Sequence, residues 1–462
     1  MVFSSTPFLF LYLPVVLAVY YAVPRRGRNL WLFLVNLVFY GWGEPVYLFL
    51  MLFSIALNYF AGLGIAGAKD RKRAKLYLVI TVVVNLALLG FFKYYDLIAS
   101  TLSLIPGLAI PALGLGLPIG ISFYTFQTMS YPIDVYRGDS TPQRSFISFG
   151  TFVALFPQLI AGPIVRYKDI AAQLDFRAGS PEQFASGVRR LTVGLAKKVL
   201  IANSLGQLWT IYSAKDPAAL TAAGAWLGVL AYHFQIYFDF SGYSDMAIGL
   251  GRMLGFEFLE NFDYPYTSSS VTEYWRRWHI SLGNWFRDYV YIPLGGNRKG
   301  KVRQLLNILI VWGLTGLWHG ANWTYLVWGL YYGCFLVLEK VFLLKYLKRA
   351  PALGAVYTFF VTVFSWVIFD LPTLSAAGGY YKALFGFGAG FLSATDFFYL
   401  KSFAAIFVAA AVASTPVLRD FYRRLPERVR TLASPAAIAC VLLLSTAYLV
   451  DATYNPFLYF RF

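Results

Sequence analysis

Apolar residues occupy long runs along almost the whole chain, and short polar stretches separate one run from the next. Each run approaches the roughly 20 residues that a helix needs to cross a bilayer. The predicted spans lie near residues 7–23, 29–43, 46–65, 76–94, 119–135, 191–211, 222–240, 353–371, 398–416 and 434–451. This pattern predicts an all-α, polytopic membrane protein with about 12 transmembrane helices.

Two apolar stretches depart from this simple pattern. Prolines interrupt residues 145–163, which predicts a re-entrant pair of half-helices shielded from lipid by protein or by a water-filled cavity. Basic residues flank residues 304–340 on both sides. This second stretch is therefore predicted to be a hairpin or re-entrant element, bent near His319 and Gly320.

The composition agrees with a membrane protein. Hydrophobic residues make up 58% of the chain and charged residues 13%, and no polar stretch is long enough to form a separate soluble domain. We therefore expect residues 1–462 to form a single integral-membrane domain. The net charge of +17 lies in short loops, which is typical of cytoplasmic connections and not of a protein that binds nucleic acid.

The distribution of positive charge predicts the orientation in the membrane. Arg25, Arg26 and Arg28 follow the first apolar run, and no basic side chain precedes it. Several arginines precede the last run, between residues 419 and 430. The positive-inside rule therefore places both termini outside, in a multi-pass protein of the cytoplasmic membrane.

The sequence contains no signal for a metal or a tightly bound cofactor. Cys334 and Cys440 both lie in apolar runs and are predicted to be small buried side chains, not a disulfide. No Cys and His residues occur at zinc-binding spacing, and Walker A, dinucleotide-binding and Gly-x-Ser-x-Gly motifs do not occur. We expect no metal site and no permanently bound cofactor.

The chain has three histidines, and the surroundings of His319 make it the strongest candidate for chemistry. It lies in apolar, Trp- and Gly-rich sequence, where an ionisable side chain indicates a functional role. An imidazole titrates near neutrality, which suits it to accept and return a proton. Gly316 and Gly320 are expected to leave room for a substrate beside it. The alternative is a structural histidine whose nitrogens are bonded by neighbouring helices.

His279 is the second candidate, and it lies in a segment too charged to cross a bilayer. On a helical wheel, residues 272–290 place His279 on an aromatic arc, away from the arginines. We predict one interfacial helix with an aromatic face toward the bundle or acyl boundary and a basic face toward headgroups. His279 would then line the same cavity as His319, within about 15 Å of it, a distance scaled to small-ligand clefts. The alternative is a packed structural histidine.

Two further polar residues lie in the apolar run near 222–240. His233 lies nearer the middle of the predicted span and is interpreted as structural. Asp239 is expected to pair with an arginine, because a carboxylate inside a membrane needs a cation.

These residues narrow the chemistry to two classes. A reactive Ser or Cys with an adjacent base is not evident, so a histidine base inside an aromatic membrane bundle remains. Such a base could activate a hydroxyl or thiol that attacks a thioester carbonyl, which is acyl transfer. It could equally serve as the proton relay of a proton-coupled transporter.

Several motifs resemble those of the membrane-bound O-acyltransferase family, in its bacterial alginate O-acetyltransferase branch. They occupy residues 1–5, 156–163, 235–245, 274–282, 285–298, 316–324 and 455–462. The resemblance therefore runs nearly the whole length of the chain. It implies that family's fold, with re-entrant and interfacial helices around a central tunnel. It also implies that His319 is the catalytic histidine in Trp-His-Gly and that His279 is the second histidine in Arg-Trp-His.

The same resemblance implies a reaction and its partners. An acetyl group would move from a cytoplasmic thioester, acetyl-CoA or an acylated carrier protein, to hydroxyls of an extracytoplasmic cell-envelope polysaccharide. Transfer would be direct or through a partner acyltransferase that resembles SGNH hydrolases. Gly283, Asn284 and Tyr332 depart from the motifs, which leaves the acceptor open among alginate-like exopolysaccharide, cellulose and peptidoglycan. Two alternatives remain, transfer of D-alanine to teichoic acid by a sister branch and a transporter without covalent chemistry.

Basic residues beside the two histidine segments are expected to attract the phosphates of the donor at the cytoplasmic face. The alternative is that they only set the topology. These residues are Arg276, Arg277, Arg287, Arg298, Lys299, Lys301 and Arg303.

Overall fold

The computed structural model describes residues 2–451 and 457–458. Over that range the regular structure is helical, and the one extended pairing is an isolated bridge between Phe262 and Trp278. Among these residues, six helices are long and apolar enough to cross a membrane. They are Tyr47–Ala66, Arg71–Leu102, Trp323–Leu347, Pro351–Asp370, Ala394–Ala413 and Glu427–Asp451. The all-α prediction is confirmed, whereas the count of about 12 crossings and the central tunnel stay predictions.

The chain divides into two compact units. Unit 1 comprises Met1–Leu191 and Ser244–Leu259, and unit 2 comprises Thr192–Tyr243 and Glu260–Phe462. The prediction of a single integral domain stays a prediction. The helices that begin in unit 1 are α1 (Leu13–Ala22), α2 (Arg28–Gly41), α3 (Tyr47–Ala66), α4 (Arg71–Leu102), α5 (Ile121–Arg137), α6 (Phe146–Ala154), α7 (Phe156–Leu159), α8 (Tyr167–Asp175) and α9 (Pro181–Ala196).

The remaining helices begin in unit 2, and α12 to α15 carry the candidate histidines and their surroundings. These helices are α10 (Asn203–Ser213), α11 (Ala222–Met253), α12 (Val271–Arg277), α13 (Ile280–Phe286), α14 (Lys301–His319), α15 (Trp323–Leu338), α16 (Leu344–Leu347), α17 (Pro351–Asp370), α18 (Leu374–Leu384), α19 (Ala394–Ala413), α20 (Val417–Arg424) and α21 (Glu427–Asp451). Short π-helical segments occupy Phe8–Tyr12, Lys197–Ala202, Arg287–Tyr291 and Glu339–Leu343. Single 3₁₀ turns occupy Arg25–Gly27, Pro217–Ala219 and Pro265–Thr267.

In unit 1, the stretch predicted to be a broken pair of half-helices is broken at Leu155, between α6 and α7. Pro157 has no N–H group and therefore cannot continue the hydrogen bonds of α6. The backbone N–H of Phe156 beside the break donates instead to Oδ1 of the buried Asn36, at 3.1 Å. The predicted interruption is confirmed, and its freed backbone group is satisfied by protein.

In unit 2, the stretch predicted to be a hairpin bends immediately after His319. α14 and α15 pack against each other, and a Cβ atom built on Gly329 would lie 2.2 Å from the carbonyl oxygen of Trp312. Asn322 caps the start of α15, because its side chain accepts from the backbone N–H of Thr324 at 3.1 Å. The predicted bend is confirmed.

Two predictions about apolar runs are wrong in detail. Cys334 and Cys440 are both unpaired, as expected, but exposed. The buried face of α15 carries Trp328 and Tyr332, and Cys334 falls on a different face. In α21 the residue that is buried is Ser445, so that helix presents Cys440 outward.

Asp239 pairs with a lysine and not with the expected arginine. Lys198 Nζ lies 2.6 Å from Asp239 Oδ1, and both side chains are almost fully buried. Gly242 brings α11 close to this lysine, because a Cβ atom there would lie 2.7 Å from the carbonyl oxygen of Gly194 and 3.1 Å from the backbone nitrogen of Lys198. The general expectation that this carboxylate needs a cation is confirmed.

Candidate active site

Residues 272–290, predicted to form one helix, are two helices joined at His279. α12 ends at Arg277 and α13 begins at Ile280. Between them His279 has φ +45° and ψ +52°, the left-handed conformation that residues other than glycine rarely adopt. Such backbone strain costs about 1–3 kcal/mol and concentrates at functional sites. The prediction of a continuous helix is therefore wrong at the residue that matters most to the site.

Asn261 holds this break in place. Its backbone carbonyl accepts from the N–H of Ile280 at 3.0 Å. Its side-chain oxygen accepts from the N–H and the hydroxyl of Ser281, at 3.2 and 2.9 Å. The N–H of Asp263 donates to the carbonyl of Arg277 at 2.9 Å. The segment 261–263 thus supplies backbone partners that a continuous helix would otherwise supply, which explains the break.

The same Asn261 side chain determines which ring nitrogen of His279 carries the proton. Asn261 Oδ1 lies 3.1 Å from His279 Nδ1. The amide orientation follows from Ser281, because its backbone N–H can donate only to the oxygen. A carbonyl oxygen only accepts, so Nδ1 carries the proton of a neutral ring and Nε2 is the nitrogen with the lone pair. Asn261 could not be predicted from the sequence, because a single Asn outside the recognised motifs gives no signal of what it contacts.

His279 is enclosed by aromatic rings. Its exposed fraction is 1%, and its ring lies edge-on to Phe240, with centroids 4.7 Å apart. The prediction that His279 points with the aromatic residues into the protein is confirmed.

His319 is the last residue of α14, at the bend of the hairpin. Gly320 follows in extended conformation and ends the helix. The imidazole is buried and lies edge-on to Trp328 of α15 and Phe369 of α17, with centroids 5.1 and 5.4 Å away. The ring is therefore held by three helices of unit 2.

The two histidines lie close together, and both rings contact Trp318. The indole of Trp318 lies 5.9 Å from the ring of His279 and 5.0 Å from that of His319. The predicted proximity, within about 15 Å, is confirmed. The catalytic roles of His279 and His319 stay predictions.

Gly316 and Gly320 serve a different purpose from the one predicted. A Cβ atom on Gly316 would lie 2.2 Å from the carbonyl oxygen of Tyr325, and one on Gly320 would lie 2.1 Å from the Tyr325 ring. The space beside both glycines is therefore filled by α15. The expectation that they leave room for a substrate is wrong, because a glycine permits close approach of any group, including a neighbouring helix.

Space for a ligand lies instead beside His279. A cavity of about 170 Å³ is bounded by α12, α13, the following π-helical turn and α14. His319 is not among the residues that line it, so the prediction that both histidines line one cavity is wrong for this cavity. Its lining is mainly apolar and consists of Trp275, His279, Leu282, Gly283, Phe286, Arg287, Tyr291, Ile308, Val311, Trp312 and Thr315.

The basic residues near the site fall into two groups. Arg277 pairs with Glu273 at 2.7 Å, and Arg287 pairs with Asp288 at 2.7 Å. Partial burial raises the pKa of Glu273, but hydrogen bonds from Ser269 and the Arg277 guanidinium outweigh this, so the net shift is downward. The second group consists of Arg276, Arg298, Lys299, Lys301 and Arg303, which are exposed, as Arg287 also is.

His233 is the third buried histidine of unit 2. Its Nδ1 accepts from the indole N–H of Trp366 at 3.2 Å, and its ring stacks on Tyr266 at 3.9 Å. This packing agrees with the structural role predicted for it. Within residues 2–451 and 457–458, no three His, Cys, Asp or Glu side chains cluster as a metal site requires. The absence of a metal stays a prediction.

Comparison with known proteins adds an independent observation. A family model described as membrane-bound O-acyltransferase matches residues 139–372, a range that includes His279 and His319. The chain is 42% identical to a probable alginate O-acetylase of Pseudomonas putida, over 100% of both chains. It is 47% identical to the probable alginate O-acetylase of Pseudomonas aeruginosa, over 85% of this chain and 76% of the relative. A peptidoglycan O-acetyltransferase of Helicobacter pylori is 34% identical, over 84% of this chain and 80% of the relative.

Proposed function

Because the chain belongs to the membrane-bound O-acyltransferase family, we propose that it transfers an acetyl group from a thioester to hydroxyls of a cell-envelope polysaccharide. Relatives named as alginate O-acetylases and as a peptidoglycan O-acetyltransferase support the acyl group and the class of acceptor. The observation that carries the proposal is the pair of buried histidines around Trp318, one of which lines an apolar cavity. This arrangement offers a proton acceptor close to space for an acyl chain.

In the proposed reaction, His319 is the general base. It takes the proton of an attacking hydroxyl while the hydroxyl oxygen forms a bond to the thioester carbonyl carbon. The carbon–sulfur bond then breaks, and the proton passes to the leaving thiolate, so that the products are an ester and a thiol. His279, with its Nδ1 proton directed to Asn261, offers Nε2 to the reacting groups.

The cavity beside His279 is the proposed route of the thioester donor. Its apolar lining suits an acyl group and a pantetheine arm. The exposed basic residues Arg298, Lys299, Lys301 and Arg303 support attraction of the donor's phosphates, from acetyl-CoA or from an acylated carrier protein. The attacking hydroxyl belongs to the polysaccharide or to a partner acyltransferase.

Gly283 provides a test of this route. A Cβ atom there would meet only the carbonyl oxygen of Trp275, at 3.9 Å, so a Cβ at this position causes no backbone clash. We expect Gly283→Leu to fill part of the cavity and to lower kcat/KM for thioester turnover about 10- to 100-fold. Gly283→Ala is the matched control, with turnover close to that of the parent protein. Unchanged kcat/KM in a folded Gly283→Leu variant would show that the donor does not use this cavity.

The proposed direction of transfer depends on the orientation of the chain. The positive-inside rule places both termini outside, with the donor at the cytoplasmic face and the acyl group leaving on the other side. We expect a reporter that fluoresces only in the cytoplasm to stay dark when it is fused to Phe462, a residue outside the described range. The same reporter inserted between Arg424 and Glu427 is the control and should fluoresce. A bright fusion at Phe462 would overturn the orientation.

The proposed function is tested in cells. Mass analysis of envelope polysaccharide from a deletion strain is expected to show the loss of acetyl esters, and the intact gene should restore them. Loss of D-alanyl esters from teichoic acid, with acetylation intact, would instead support the alternative acyl group. A transporter without covalent chemistry is excluded if purified protein releases thiol from an acyl thioester.

A further inference from the structure

A buried carboxylate outside both histidine segments holds the start of α12. Glu339, which follows directly after α15, has an exposed fraction of 1%. Its Oε1 accepts from the N–H of Val271 at 2.6 Å. Its Oε2 accepts from the N–H and the hydroxyl of Thr272, at 2.8 and 2.6 Å. Hydrogen bonds to a carboxylate are roughly twice as strong as those between neutral groups, so this is a firm attachment.

These bonds complete the capping of α12. The first N–H groups of a helix have no partner within it. Glu339 accepts those of Val271 and Thr272, and Ser270 Oγ accepts that of Glu273 at 3.1 Å. The carboxylate also lies at the positive end of the helix dipole. A side chain that follows α15 therefore fixes the start of α12.

α12 leads directly to His279. Its seven residues span about 10 Å, and only Trp278 separates its last residue from His279. A helix of two turns moves as one piece, so a displacement of its first turn reaches the imidazole. Trp275 of α12 also lies edge-on to Tyr332 of α15, with centroids 4.8 Å apart. α12 and α15 are thus joined by a polar and by an aromatic contact.

α15 also contacts the other histidine, through Trp328. We infer that Glu339 is a positioning residue for acyl transfer, because it fixes α12 to the helix that packs on His319 and so sets the separation of the two imidazoles. This inference rests on the proposed function.

The test is Glu339→Gln in the full-length protein, with thioester turnover measured in detergent. Glutamine keeps the shape, but its NH₂ group must face a backbone N–H that also donates. We expect kcat to fall about 10- to 100-fold, as for a misplacement of about 1 Å. KM should change less than kcat, because α13, the π-helical turn after it and α14 supply most of the cavity lining, whereas α12 and the break after it supply only Trp275 and His279. Unchanged kcat would overturn the inference.

Asp396→Asn is the matched control. Asp396 is another buried carboxylate of unit 2 that caps a helix, α19, and it accepts from the hydroxyl of Thr221 at 2.6 Å. The same chemical change there should lower Tm without lowering kcat per folded molecule. A comparable fall of kcat in both variants would show that Glu339 has only a general structural role, and it would overturn the inference.

A double-variant cycle separates this inference from the proposed function. If Glu339 acts through His279, His279→Ala with Glu339→Gln should have the kcat of His279→Ala alone. Independent, multiplying losses would overturn the inference and leave the proposed function intact. Normal turnover in His279→Ala would contradict the role proposed for that histidine itself.

If Glu339→Gln fails to accumulate, Thr272→Val is the substitute variant, because it removes one donor to the carboxylate. We expect it to lower kcat as well. An unchanged kcat in Thr272→Val would overturn the inference.

Discussion

Replacing His319 with alanine is expected to abolish polysaccharide acetylation while the protein still accumulates in the membrane. The removal of a positioned general base costs about 10²–10⁴-fold in rate. The buried ring also contacts Trp328 and Phe369, so a moderate fall in Tm is expected as well. Mass analysis of the polysaccharide and thioester turnover by purified protein measure the loss of activity, and thermal unfolding of the purified protein measures the fall in Tm.

His233→Ala is the matched control for this variant. It removes another buried imidazole of unit 2, which packs on Tyr266 and Trp366. We expect its Tm to fall and its turnover per folded molecule to stay near that of the parent protein. Near-normal acetylation by His319→Ala would rule out the general-base role.

The second large effect is expected for Asn261→Ala. The change removes the acceptor of both Ser281 donors and of His279 Nδ1, and an unsatisfied buried donor costs about 1–3 kcal/mol. It also removes the acceptor that keeps the proton of the His279 ring on Nδ1, whereas the backbone bonds of residues 261 and 263 that hold the left-handed turn remain. We expect kcat to fall on the order of 10²-fold, because a misplaced group of this kind costs about that much.

Asn85→Ala tests whether lost stability alone explains such a fall. Asn85 is a buried amide of unit 1 that is hydrogen-bonded to Asn58 at 3.1 Å. Its replacement should lower Tm and leave kcat per folded molecule unchanged. If Asn261→Ala loses stability but keeps its kcat, Asn261 does not position His279 for the reaction.

Most long helices could be predicted from the sequence because the membrane imposes length and apolarity. The run near 46–65 corresponds to α3, and the run near 353–371 corresponds to α17. α4 extends beyond its apolar run of 76–94, to Arg71 and Leu102. Hydrophobicity indicates only the part of a helix that suits lipid, whereas a capping residue determines where the helix begins. In α4 this residue is Asp70, whose side chain accepts from the N–H of Arg73 at 2.8 Å.

The break at His279 could not be predicted from the same signal. The aromatic residues of 272–290 keep a helical period across the break, so the pattern favours one helix. The partners that interrupt the helix come from Asn261 and Asp263, which are separate in sequence and belong to no motif. A helical wheel nevertheless places His279 on the face that packs against protein, because burial follows the local spacing of aromatic and charged residues.

Glycines gave an ambiguous signal. Gly316 and Gly320 indicate that something approaches the backbone closely, and the sequence cannot show whether that is a substrate or a helix. The structure assigns the space to Tyr325. Motif resemblance identified both histidines but not the residues that hold them, because these act through distant backbone contacts.

The attachment of α12 by Glu339 has a consequence for biosynthesis. Val271 and Thr272 leave the ribosome well before residue 339 is made, whereas Asn261 precedes both histidines. During synthesis, the segment around His279 can therefore acquire its left-handed turn early but cannot be capped by the carboxylate until α15 is complete. Glu339 can therefore cap α12, the helix that leads to His279, only after the whole hairpin that bears His319 has been translated.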